Sequence, residues 1–182
     1  IALLMALFLI LPLLALVWRA VMLDGALPLA NQALFQALAL SLGTTALAVL
    51  LTVSLGTPLA YFLARYKFPL RRLVSLFVEL PIVMPPVVAG LALLAAFGRR
   101  GLLGAPLAEL NITITFTTAA VVLAQLFVSA PFYIRAAQSR FQELPQVYED
   151  AAAVDGADRW QIFWFIMLPQ SRRALLAGLI LS

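Results

Sequence analysis

An all-α polytopic membrane protein is the fold class this sequence predicts, on three observations. Hydrophobic residues make up 64% of its 182 residues and charged residues 11%, against roughly 45–50% and about 25% in soluble domains. Mean hydropathy is +1.05, so no polar exterior can be assembled around so large an apolar mass. The apolar residues also run in weakly charged stretches near the length a bilayer demands, about 20 residues for a hydrocarbon core of roughly 30 Å.

Taken in order, the first stretch, 1–18, carries no charge and is bent by Pro12. It lacks the basic leader and the polar mature domain of a signal peptide, which favours a span. The second, 38–64, has no charge, the third, 73–97, carries only Glu79, and the fourth, 112–134, has none. A fifth begins at 174–182 and stops about halfway through a bilayer at roughly 1.5 Å per residue. Both Ile1 and Ser182 fall inside apolar runs. The expectation is therefore one transmembrane domain over 1–182, a fragment of a longer protein with about five spans, the last truncated.

Basic residues set the orientation. The connections after the second and fourth spans hold nine (Arg65, Lys67, Arg71, Arg72, Arg135, Arg140, Arg159, Arg172 and Arg173), and the other two hold three (Arg19, Arg99 and Arg100). The positive-inside rule puts the richer side, and with it the amino end, in the cytoplasm. The net charge of +4 is thus topological and does not indicate a nucleic-acid partner. Arg99 and Arg100, on the outer side, are also placed to draw an anion or to meet an external protein.

Several chemistries are excluded. With no cysteine and no histidine, disulfides, thiolate nucleophiles and the commonest metal ligands are absent, and no metal site is expected. No Gly-rich loop ends in Lys-Ser or Lys-Thr, so the chain is not expected to bind ATP. The acids cluster in one loop, so no catalytic residue is expected and the chain is not read as an enzyme.

That loop, 135–173, is far longer than a helix–helix turn needs. It balances five basic residues with Glu143, Glu149, Asp150, Asp155 and Asp158. A segment held by anionic lipid would be mostly basic, so neutrality with apolar stripes favours a protein partner. Two short helices are expected. Pro145 suits a first helical position, and Val147, Ala151 and Val154 then share a face, with Tyr148 and Ala152 beside them. Glu149 and Asp150 sit at the favourable end of the dipole, and Gly156 stops the helix. Asp158 and Gln161 have capping-box spacing, followed by a nearly all-apolar helix through Trp160, Phe163, Trp164 and Met167 that Pro169 is expected to end. About ten residues do not make a stable helix alone in water, so the first must dock. An amphipathic turn packed on its own bundle has the same periodicity.

Pro81, Pro85 and Pro86 cannot sit in an undisturbed helix, and Met84 and Pro85 are each pushed from helical angles by the following proline. Such a break should be buried among spans or line a watery cavity, as broken helices at substrate sites do. A packed kink is the plainer account. Glu79, roughly 10 Å along the helix from Arg72, is a functional intramembrane acid or a satisfied contact with a neighbouring loop. Thr113, Thr115, Thr117, Thr118 and Ser129 offer hydroxyls on the fourth span; ordinary helix packing explains them equally well. Pro81, Pro85, Pro86, Thr117, Thr118 and Ser129 are the candidate pathway residues.

The stretch Asp150-Ala151-Ala152, three residues, Gly156, nine residues, Ile166, one residue, Leu168-Pro169 resembles the EAA signature of ABC importer permeases. Asp150 stands where the signature has Glu, and Asp155 where an apolar residue is usual. The resemblance implies the transmembrane domain of a type I ABC importer, in the inner membrane of a prokaryote. It implies that 145–156 is a coupling helix on an ATPase subunit, with Glu149, Asp150, Ala151, Ala152, Gly156, Ile166, Leu168 and Pro169 as coupling residues. The implied partners are a second permease copy, two ATP-binding subunits, an external binding protein and the surrounding lipid. ATP and Mg would be held by the ATPase, leaving this chain without a cofactor. The run from Leu80 to Gly90 followed by Phe97-Gly98-Arg99-Arg100-Gly101-Leu102-Leu103-Gly104 looks like the third-span region of molybdate permeases. Molybdate import is thus the expectation, with sulfate, thiosulfate or tungstate as alternatives in the same family. A carrier or channel independent of ATP is the alternative of another class.

Overall fold

The computed structural model describes residues 10–12, 14–19, 22 and 32–181. The expected first span lies largely outside these residues, as does most of the connection after it and Ser182; residues 10–12 and 14–19 are helical. The chain forms two compact units, Ile1–Leu42 and Gly43–Ser182. Among the described residues there is no β-strand. This is the helical fold expected where lipid offers no partner to a free backbone group.

Helix α1, Gln32–Arg65, carries Pro58 in its interior. From Thr44 onward one buried stripe of small residues recurs at every fourth position, at Thr44, Ala48, Thr52, Gly56 and Ala60. Small residues in this register let two backbones approach closely. Gly56 lies against Tyr133 and Ile134, and the Thr57 and Tyr133 hydroxyls share a buried hydrogen bond of 2.7 Å. Leu47, Leu50 and Leu55 point outward, as lipid-facing or subunit-facing residues do.

The third expected span is two helices, α2 (Arg71–Val83) and α3 (Pro86–Phe97). The break falls on Met84 (φ −77°, ψ 130°) and Pro85 (φ −57°, ψ 144°), both extended. Each precedes a proline whose ring clashes with a helical neighbour. Pro81 behaves differently and stays inside α2, because one missing N–H in a last turn is tolerated where two adjacent pre-proline residues are not. Pro85 and Pro86 are exposed, as are Val83 and Val87 at 83% and 75%. The expected burial among the chain's own spans is therefore not found within the described residues. A short helix α4, Gly104–Glu109, follows.

Helix α5, Thr118–Glu143, is the hub on which α2, α3 and α8 pack. It runs past the expected end of the fourth span because nothing from Arg135 to Glu143 breaks a helix; Leu144 (ψ 130°) ends it ahead of Pro145. The 135–173 connection thus begins as a continuation of α5. Helix α6, Val147–Val154, then has no buried residue.

The last helical stretch departs from expectation. It opens as α7, Arg159–Gln161, widens into a π-helical segment, Ile162–Met167, and continues as α8, Leu168–Leu181. Pro169 therefore lies inside a continuous helical rod and does not end it. A proline lacks the N–H and presses on the carbonyl four residues back, here Phe165. The wider turn, in which the Leu168 N–H reaches the Phe163 carbonyl, spreads those carbonyls and accommodates the ring.

The apolar core sits at one end of the bundle. Tyr61 and Leu63 of α1, Tyr133, Ala137 and Phe141 of α5, Phe163 and Met167 of the π segment and Leu175 of α8 form one buried cluster. Gly178 extends the α5–α8 contact, since a Cβ there would lie 2.9 Å from the Ala136 Cβ. Gly178→Ala is expected to destabilise the protein by about 1–3 kcal/mol, read as a lower unfolding midpoint in detergent, and Ala136→Gly in the same chain should recover most of that loss.

Candidate functional site

The coupling-signature residues fall into two groups. On α6, Asp150 and Ala151 are exposed, as are the apolar neighbours Val147 at 62%, Tyr148 at 46% and Val154 at 87%. The stripe read from periodicity therefore faces away from the chain's own bundle. Ala152 is half-buried and packs on the core. Ile166 and Leu168 also pack against the core, Pro169 is exposed on α8, and none of the three shares the outer face of α6.

Glu149 turns inward. Its Oε1 lies 2.7 Å from Arg65 Nε, with side chains only 19% and 14% exposed. The pair is a close charge contact rather than an aligned hydrogen bond. The Arg65 Nη2 donates to the Leu144 carbonyl at 2.7 Å, and the Tyr61 hydroxyl reaches the other Glu149 oxygen at 3.5 Å. The last turn of α1 thus grips the loop at its entry and again on α6.

The turn after α6 follows its sequence. Gly156 adopts φ +87°, a conformation that a Cβ makes costly, and the Ala157 N–H returns to the Ala152 carbonyl at 2.9 Å. Both halves of the capping box form: the Gln161 N–H donates to Asp158 Oδ1 at 2.7 Å and the Asp158 N–H to Gln161 Oε1 at 2.9 Å. Arg159 stacks its guanidinium over Tyr66, 5.4 Å from the ring centroid.

The six pathway candidates do not converge. Pro81 lines an apolar groove of about 340 Å³ with Phe77, Leu93, Phe97, Phe127 and Ala130. Pro85 and Pro86 lie on the exposed break. Thr117 donates its hydroxyl to the Ile114 carbonyl at 2.6 Å, Thr118 is exposed and Ser129 is half-buried on α5. Glu79 forms an ion pair of 3.0 Å with Arg135 on α5, so its partner is an adjacent helix.

Two residues escaped the sequence reading. Arg65 reads in the sequence only as a topology charge; its place in the last turn of a helix, with acids in a later loop, is the available signal. Gln125 lies within the fourth span and, being neutral, is invisible to a census of charge. Its Nε2 donates to Thr45 Oγ1 at 3.3 Å, while Oε1 is buried with no partner among the described residues.

Comparison with known proteins gives this geometry a context. The family model for the binding-protein-dependent transport system inner membrane component matches residues 56–182. The sulfate transport system permease protein CysT of Escherichia coli is 41% identical over 124 residues, which is 68% of this chain and 45% of that protein. The molybdenum transport system permease protein ModB of Mycobacterium tuberculosis is 42% identical over 125 residues, 69% of this chain and 47% of that protein. The probable transport system permease protein NifC of Clostridium pasteurianum is 38% identical over 113 residues, 62% and 40% of the two chains. The chain thus spans less than half the length of these relatives. It belongs to the family of binding-protein-dependent transport system inner membrane components, the permeases of type I ABC importers.

Proposed function

We propose that this chain is part of the permease of an ATP-driven oxyanion importer, coupled to a separate ATPase through α6. The observation that carries the reading is an eight-residue helix with no buried residue, presenting Val147, Tyr148, Asp150, Ala151 and Val154 outward. A helix so short is not stable on its own, and its apolar stripe is left for another protein to cover. Glu149 holds it from behind. In this reading two permease copies line the path, two ATPase subunits bind the α6 helices, and an external binding protein delivers the anion. ATP and Mg act on the ATPase, and the amino end of the permease lies in the cytoplasm. Closure of the ATPase pair moves α6, and the spans alternate between inward and outward opening.

For the substrate, molybdate is the reading favoured by the Gly98 to Gly104 region. A second reading, sulfate, rests on the sulfate permease of Escherichia coli being as similar as the molybdenum permease. Thiosulfate and tungstate follow the same chemistry. No Lys or Arg lies at mid-span, so a tetrahedral anion would be held by hydroxyls, amides and backbone N–H groups, with Gln125 a candidate alongside Thr117, Thr118 and Ser129.

Three outcomes are expected. Asp150→Lys, on the exposed face, should weaken capture of the ATPase by about tenfold, the scale of one lost interfacial charge contact, in a pull-down of the assembled complex. Gly156→Val places a β-branched residue at positive φ, costing about 1–2 kcal/mol, and should reduce capture at unchanged membrane insertion. Uptake of radiolabelled molybdate should be inhibited more strongly by tungstate than by sulfate; equal inhibition by both would remove the molybdate preference.

A further inference from the structure

The loop is attached to the bundle in two physically different ways. Ala152 and Ala157 lie against the apolar core beside the π segment, a contact of small side chains with little directional hold. The second attachment is ionic. Arg65, the last residue of α1, places Nε 2.7 Å from Glu149 Oε1 and donates from Nη2 to the Leu144 carbonyl. One guanidinium therefore meets both the entry of the loop, by a hydrogen bond, and its first helix, by a charge contact, two neighbours that the single ammonium of a lysine is less suited to bridge.

Burial sharpens the point. With side-chain exposures of 14% and 19%, the pair is shielded from the screening that weakens surface ion pairs. A buried pair seldom exceeds a well-packed apolar one in net stability, and its best-attested use is to fix register. Tyr61, one turn back on α1, aims its hydroxyl at the same carboxylate. Two successive turns of one span thus converge on a single residue of a helix that otherwise faces away from the chain.

We propose that Arg65 and Glu149 are a transmission latch: the pair makes α1 move with α6, so that work done on α6 enters the membrane through α1 as well as through α8. Glu149 is then a positioning residue facing the permease itself, and Asp150 beside it is the residue facing the partner. The inference rests on α6 being the ATPase contact proposed above, and it assigns to α1 a role that the signature residues do not cover.

The test uses the full-length permease assembled with its ATPase and binding protein in proteoliposomes. Radiolabelled molybdate and, in parallel, sulfate are supplied, and uptake, ATP hydrolysis and ATPase capture are measured on the same preparation. Glu149→Gln, nearly isosteric, is expected to leave capture within about twofold of wild type while uptake per ATP hydrolysed falls about tenfold, the scale of a coupling free energy between sites. Arg65→Gln should give the same phenotype, and the double variant should be no worse than either single, as for two partners of one contact. If Arg65→Gln inserts poorly, Glu149→Gln alone decides the matter. An unchanged uptake-to-hydrolysis ratio in Glu149→Gln overturns the latch, as does capture that falls with it, or a multiplicative loss in the double variant. Full capture by Asp150→Lys would instead overturn the coupling reading beneath it, so the two failures are distinguishable.

Discussion

Phe141 is fully buried because three parts of the chain beyond its own helix converge on it. Tyr61 of α1 meets its ring edge-on at 5.5 Å and Phe163 of the π segment lies at 6.4 Å, with Leu175 of α8 in the same cluster. Aromatic pairs of this geometry contribute about 0.5–1.5 kcal/mol each beyond the area they bury. Everything that positions the loop depends on this knot. It fixes where α1 ends, hence where Arg65 stands, and it fixes the start of α8, hence where α6 can rest. Toward the opposite end the helices turn many leucines and valines outward, as a surface for lipid or another subunit requires.

How much of this was legible in the sequence depended on whether the signal was local. Asp158 and Gln161 form the capping box that their spacing announced, because the cap is closed by atoms within one turn. Gly156 takes the positive φ that only glycine adopts cheaply. Met84 and Pro85 are extended because each precedes a proline, a steric rule that needs no tertiary context. The family resemblance, too, was carried by a short stretch with fixed internal spacing.

Features built from distant parts of the chain were not legible. Pro169 reads as a stop, yet the π segment carries the helix through it, since widening one turn costs less than abandoning the apolar packing of Phe163 and Met167. Arg65 reads as one of several basic residues at a membrane boundary. Its partner, Glu149, comes after four further helices in the chain, and charge alone does not name a partner. The buried stripe at every fourth residue of α1 is likewise masked by the general apolarity of the span. The candidate pathway residues share a chemical type but no local spacing, and within the described residues they lie apart on separate surfaces.

The wide turn at Ile162–Met167 has a geometric corollary. A π segment amounts to one residue more than an α-helix of the same rise would use, so it sets the angular phase between the loop and the helix that follows. Closing that turn into an ordinary α-helix with every residue retained would rotate everything downstream by about 100°. Leu175 and Gly178 would swing away from α5, and the span would present a different face to its neighbours while the loop stayed in place. The chain thus carries a vernier between its loop and the helix that follows, adjustable in steps of a single residue.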